Sequence, residues 1–164
     1  MLVSGYIEGT KQLQEAGAAF KQNDNVRADG RLGDVCCTLE YPNTWYLDQV
    51  KAKETNYLDW VILILSLDLL DRSGVGFVPF NAARAWGAHR VEGRQGFDAL
   101  FAPVVTGRST FRRSDAHPDW WPTDDQAEVQ IPGPISWEHV TNVIFPDIEH
   151  AEVELARWAF LRPG

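Results

Sequence analysis

The stretch Thr123-Asp124-Asp125-Gln126-Ala127-Glu128-Val129-Gln130-Ile131-Pro132 decides how the chain is read. From Gln126 it alternates: Gln126, Glu128 and Gln130 fall on one side, and Ala127, Val129 and Ile131 on the other. Successive side chains of a β-strand point to opposite faces, so this spacing predicts a strand with one buried face. Pro132-Gly133-Pro134 ends it, because proline has no N–H to give to a ladder. Ahead of the strand lies a run rich in Trp, Arg and Asp. A carboxylate fixed on a strand beside a loop suits catalysis, since the scaffold holds the group while the loop selects what approaches. The ordinary alternative is that Glu128 is one more solvated acid on a polar face.

Composition sets the bounds around this stretch. A chain of 164 residues is expected to form a single domain, 1–164, with room for a real core. Hydrophobic residues make up 45% and seven residues are Trp, which argues against disorder. The formal net charge of −8 argues against general coating of nucleic acid, which rests on neutralising phosphates, but leaves room for one local basic groove. Cys36 and Cys37 are adjacent, so on a strand they point apart and cannot bridge. They are expected to be small buried groups, reduced as in the cytoplasm. Neither they nor the four His residues form a metal motif. No signal peptide is visible, and the apolar run 60–67 is too short to cross a bilayer, so no membrane partner is expected.

In chain order, 1–5 reads as a helix end closed by Gly5. A short helix is expected over 10–21, then a polar loop, a buried strand over 35–39 and a turn at Tyr41-Pro42-Asn43. A helix follows over 44–54, with Trp45, Leu47 and Val50 partly inward. The run 60–67, apolar almost throughout, predicts a central strand covered on both faces. Next come a helical turn (68–73), a strand (74–80), a helical segment (81–88), a short helix (97–101) and an irregular loop (107–122). The chain closes with a helical turn (137–140), a strand (142–145) and a helix over 147–160. Asp147 would cap that last helix, and Ile148, Val153, Leu155 and Trp158 would pack it. No regular βαβ alternation is present, so the fold class is α+β with a partly antiparallel sheet.

Charge is uneven. Arg84, Arg90, Arg94, Arg108, Arg112 and Arg113 are opposed within their segment only by Glu92 and Asp98. They are interleaved with Trp86, Phe97, Phe101 and Phe111 and followed by Trp120 and Trp121. Guanidinium groups follow phosphates and flat rings stack on bases, a combination that suits single-stranded nucleic acid. A solvated loop is the ordinary alternative. His117 would serve as a base for an acceptor nitrogen, or simply join Pro118 in a turn.

Gln126-Ala127-Glu128 resembles the Gln/Glu-x-Glu motif of ADP-ribosyltransferases. The wider run Gln-Ala-Glu-Val-x-Ile-Pro-x-x-Ile is similar to the catalytic strand of DarT-like DNA ADP-ribosyltransferases. Leu2-Val3-Ser4-Gly5-Tyr6-Ile7 resembles the exit of their first helix, and 34–47, 60–83 and 123–144 are the other similar segments. The resemblance implies an ADP-ribosyltransferase-like fold of split mixed or antiparallel sheets with flanking helices, and NAD as co-substrate in the cleft between them. It implies Glu128 as the catalytic acid beside the ribose and Gln126 nearer the acceptor. It implies Thr38, Tyr41, Asn43, Tyr46 and Asn81 around NAD, and Arg108, Arg112, Arg113, His117, Trp120 and Trp121 along the acceptor. The implied activity is modification of a nucleobase in single-stranded DNA by a toxin that an antitoxin partner holds in check. DarT-like proteins carry an earlier strand with a His-centred segment, expected to be lacking here, and an Arg where this chain has Tyr41-Pro42-Asn43-Thr44. Two alternatives stand beside this reading: a transferase acting on protein or RNA, and a non-catalytic binding module or truncated inactive relative.

Overall fold

The computed structural model describes residues 4–22, 26–40, 43–55 and 60–161. Its elements in chain order are β1 (Tyr6–Ile7), α1 (Thr10–Glu15), β2 (Asp34–Cys37), α2 (Thr44–Lys53), β3 (Ile62–Leu65), β4 (Gly76–Val78), β5 (Val91–Glu92), α3 (Gly93–Ala99), β6 (Val104–Thr106), β7 (Thr110–Arg112), β8 (Glu128–Pro132), β9 (Ile135–Ser136), β10 (Val140–Ile144) and α4 (Ile148–Leu161). Short 3-10 turns lie at Leu67–Asp71, Arg84–Gly87 and Trp137–His139.

The alternating run becomes β8, inside a four-stranded sheet ordered β2-β8-β4-β5 with every neighbouring pair antiparallel. Among the described residues three further two-stranded pairs, β1-β9, β10-β3 and β6-β7, accompany it. The result is the expected α+β architecture of small antiparallel sheets with flanking helices; no parallel pair occurs among the described residues.

Register explains why the sheet has two unlike faces. Val35 lies opposite Ile131, Cys37 opposite Val129, and Phe77 opposite Val129 from the other side. Ala127, Val129, Ile131 and Phe77 are buried with Leu69, Val75, Leu100 and Ile135, and half-buried Phe97 and Trp137 close the cluster. Each fully buried aliphatic or aromatic side chain is worth roughly 1.5–3 kcal/mol, so this row holds β8 in place. The opposite row joins Cys36 to Gln130 to Gly76, and Glu128 to Val78. Gly76 has a packing reason. A Cβ there would lie 2.1 Å from Arg90 Nε, so only glycine lets that side chain cross the strand. The Arg90 guanidinium then donates to the Gly74 carbonyl and, at 2.9 Å, to Glu92.

Several expectations are corrected. The apolar run near 60–67 is not central. It supplies β3, which among the described residues pairs only with β10, and Ile62, Ile64 and Ile144 are exposed. The stretch expected as an irregular loop contains β7, which returns on β6 through Gly107-Arg108-Ser109, with the Gly107 N–H donating to the Ser109 carbonyl at 2.9 Å. Helix α2 buries no residue, and Trp45 is exposed rather than inward. Its end is tethered by a Lys21–Glu54 ion pair of 2.9 Å. In α4, Asp147 caps as expected by accepting the His150 N–H at 2.9 Å. Ile148, Val153 and Leu155 are exposed, however, and the helix packs through Trp158 against Trp137 and Phe145. Cys36 is exposed while half-buried Cys37 packs against the core, so the two point apart and neither is fully buried as expected. The helix end expected at 1–5 falls partly outside the described residues; Gly5 itself turns at φ 75° just before β1.

Candidate active site

Glu128 opens β8 on the face away from the main core. One carboxylate oxygen accepts the Ala82 N–H at 2.8 Å, tying the strand to the chain just beyond β4. Burial pushes the Glu128 carboxyl above its ordinary value, and the nearby Asp29 charge adds to this. The Ala82 N–H, Arg27 and the Cys36 thiol oppose the rise without cancelling it. Cys36 reaches solvent, but protein crowds its remaining sides; burial first, and the Glu128 charge second, push its thiol up to about 12. The thiol is therefore a neutral donor beside the carboxylate. Glu128 lies half-covered between these groups, an environment in which a charge acts more strongly than it would in open water.

A polar brace stands behind it. Gln130, expected on a solvated face, is fully buried, and its Nε2 donates to Asp29 at 2.7 Å. Asp29 also accepts from Arg27 Nε at 3.2 Å, Arg27 Nη2 at 3.3 Å and the Arg31 N–H at 3.2 Å. Arg27 Nη2 donates onward to the Arg31 carbonyl at 2.6 Å. Arg27 sits at φ 38°, a left-handed conformation uncommon for a non-glycine residue. Sequence reasoning missed Arg27, Asp29 and the burial of Gln130. The only local signal was an acid two residues from an arginine in a polar loop, and nothing in it indicated which strand the loop would meet.

Gln126 does not ride on the strand, a second correction. Its N–H donates to Asp124 Oδ1 at 2.9 Å and the Ala127 N–H to the Asp124 carbonyl at 3.0 Å, forming a turn that delays the ladder until Glu128. Aspartate side chains favour such turns by bonding the backbone two residues on. Asp124 is buried, which raises its pKa, with Asp125 acting in the same sense and the Gln126 N–H against it. Thr123 anchors the turn through its N–H to the Leu100 carbonyl at 2.8 Å and its hydroxyl to the Ala102 carbonyl at 2.6 Å.

The residues expected around NAD divide. Continuing the register of Cys37 with Val129 by one residue sets exposed Thr38 opposite Glu128. Asn81 is exposed next to Ala82, and its side chain accepts the Ala83 N–H at 3.0 Å. Asn43 instead caps α2 by accepting the Tyr46 N–H at 2.9 Å, and Tyr46 is exposed on that helix; no described contact links either to Glu128. Tyr41 lies outside the described residues. Glu128, Thr38 and Asn81 offer a carboxylate, a hydroxyl and an amide, a donor set that fits ribose hydroxyls.

The acceptor-side residues divide as well. Gly107 brings the β6–β7 tip against this site: a Cβ there would lie 2.9 Å from Phe80 Cβ and 3.1 Å from Asp124 Oδ2. Arg108 at the tip and Arg112 on β7 are exposed, as is Trp120. Arg113 points into its own loop, donating to the Trp121 carbonyl at 2.6 Å, the Pro118 carbonyl at 2.7 Å and the Thr123 hydroxyl at 3.3 Å. His117 Nε2 lies 3.1 Å from the Pro122 carbonyl, and its ring meets Trp121 edge-on. Arg113, His117 and Trp121 thus shape the loop, while Arg108, Arg112 and Trp120 face outward.

A depression of about 210 Å³ lies elsewhere, lined by Glu149, His150, Val153, Glu154 and Arg157. One helix supplies all of these residues, and the volume falls below the roughly 300–1,000 Å³ of ligand pockets. Burial, hydrogen bonding and perturbed titration converge on Glu128 instead. Among the described residues no His, Cys, Asp and Glu cluster could hold a metal, and no helix is long and apolar enough to cross a membrane. The sequence profile of the DarT family, described as ssDNA thymidine ADP-ribosyltransferase, matches residues 4–156. No curated protein matches the chain.

Proposed function

The chain belongs to the DarT family of single-stranded DNA ADP-ribosyltransferases, and we propose that it moves ADP-ribose from NAD to a thymine of single-stranded DNA. The observation that carries this reading is Glu128 itself: a half-buried carboxylate, pinned by the Ala82 N–H and flanked by an outward-facing cationic hairpin. NAD is the co-substrate and supplies the ribose whose bond to nicotinamide is broken. Glu128 accepts a hydrogen bond from a ribose hydroxyl, and its charge favours the positive character that grows on the sugar as nicotinamide departs with the bonding pair. Thr38 and Asn81 hold the remaining polar edge of the ribose. A thymine nitrogen then forms the new bond and loses its proton to solvent. Gln126, on a turn rather than a ladder, is free to orient the incoming base through its amide. Arg108, Arg112 and Trp120 guide the strand. Such an activity in the cytoplasm is that of a toxin, neutralised by an antitoxin partner.

The test offers NAD to the protein with thymine-containing oligonucleotides, thymine-free oligonucleotides, RNA and protein, and reads product mass. One ADP-ribosyl adduct per modified base on the thymine-containing strand is expected. Adducts on protein or RNA with none on DNA would overturn the acceptor assignment.

A further inference from the structure

The turn Arg84–Gly87 holds two consecutive non-glycine residues in the left-handed region, Ala85 at φ 51° and ψ 31° and Trp86 at φ 56° and ψ 40°. Each such residue costs on the order of 1–3 kcal/mol and persists only where its surroundings impose it, most often at functional sites. The surroundings here are specific. The Arg84 N–H donates to the Asn81 carbonyl at 3.1 Å and the Gly87 N–H to the Ala82 carbonyl at 3.1 Å, so the turn closes on the residue whose own N–H binds Glu128. Its far side rests on the polar brace: a Cβ on Gly87 would lie 3.2 Å from Asp29 Cα. A turn so held brings Trp86 out to solvent, 76% exposed, on a segment bonded to the catalytic carboxylate. A large apolar ring gains nothing from that position in the folded chain alone.

The charges of the segments that the turn joins point to a ligand for the ring. Arg84 lies over the Phe80 ring at 6.0 Å, and the Gly107 backbone packs on Phe80 from the hairpin that carries Arg108. Among the described residues Arg90 and Arg94 are neutralised by Glu92 and Asp98. Arg84, Arg108 and Arg112 enter no ion pair there. An exposed ring two residues along the turn from an arginine that enters no described ion pair is the pattern that binds single strands, with bases on the ring and phosphates on the arginines.

We propose that Trp86 is a base-stacking platform for single-stranded DNA, holding an unpaired base next to the one that is modified while Arg84 takes the adjoining phosphate. This rests on the reading of the protein as a DNA-modifying transferase. A labelled thymine-containing oligonucleotide, titrated without NAD into the full chain, provides the test. Trp86→Ala is expected to weaken binding about ten-fold or more, since one stacked base is worth on the order of that factor. Trp86→Phe keeps a flat ring and should stay within about three-fold of wild type. An oligonucleotide of abasic residues, offering phosphates alone, should bind wild type and Trp86→Ala equally. Equal oligonucleotide binding by wild type and Trp86→Ala overturns the proposal, as does a loss of NAD affinity with DNA affinity intact, which would give the ring to the adenine of NAD. If wild type binds DNA in this ring-dependent way but transfers no ADP-ribose, the functional reading fails and the platform stands. If transfer occurs and Trp86→Ala matches wild type in binding, the reverse holds.

Discussion

The two faces of β8 differ as sharply as any two regions of the molecule. Val129 and Ile131 point into a closed apolar cluster and touch nothing polar that matters to chemistry. One residue away along the same backbone, Glu128 and Gln130 point at a carboxylate, a guanidinium and a thiol. The strand therefore does two jobs by alternation alone: one row fixes the backbone, and the other presents a carboxylate whose position the first row guarantees. Burial first, and the Asp29 charge with it, make Glu128 hold its proton more tightly than an ordinary carboxylate, while the Ala82 N–H and Arg27 oppose the rise.

The comparison can be broken from the core side first. Ile131→Ala should cost about 2–5 kcal/mol of stability by denaturant unfolding, because it empties a buried site that β2 and β4 hold open. A loss below about 1 kcal/mol would mean that this row does not anchor the strand.

A smaller effect sharpens the other face. The Glu128 carboxyl has a raised folded pKa against an ordinary value of 4.5. Between the two values the native protein binds more protons than the unfolded chain, so this group's contribution lowers stability as pH rises through that window. Below the ordinary value both states are protonated and the group costs nothing. Glu128→Gln removes the titration, so its stability relative to wild type should climb from about pH 4 and level off above the folded pKa. A flat difference across that range would contradict the burial of the carboxyl.

Much of this was legible in the residues. Alternation over 126–132 predicts a half-buried strand and makes the acid at 128 its candidate functional group. Gln126 was assigned to the strand because period alone cannot see that Asp124 captures its N–H. Gln130 was assigned to solvent because its partner, Asp29, is 101 residues away in sequence. The run 60–67 was assigned to the centre because continuous apolarity does not say how many strands will flank it. Composition also does not show that Arg113 and His117 bond within their own loop. For Gln126 and Gln130 a competing or distant hydrogen bond decides the outcome, and for 60–67 the strand pairing does.

The most direct measurement pairs transfer with folding in Glu128→Gln, which keeps an oxygen for the Ala82 N–H and removes the charge. The account predicts ADP-ribose transfer to a thymine-containing single strand reduced by about two to three orders of magnitude, with thermal stability at or above that of wild type. A well-folded Glu128→Gln protein that transfers ADP-ribose at close to the wild-type rate would contradict it.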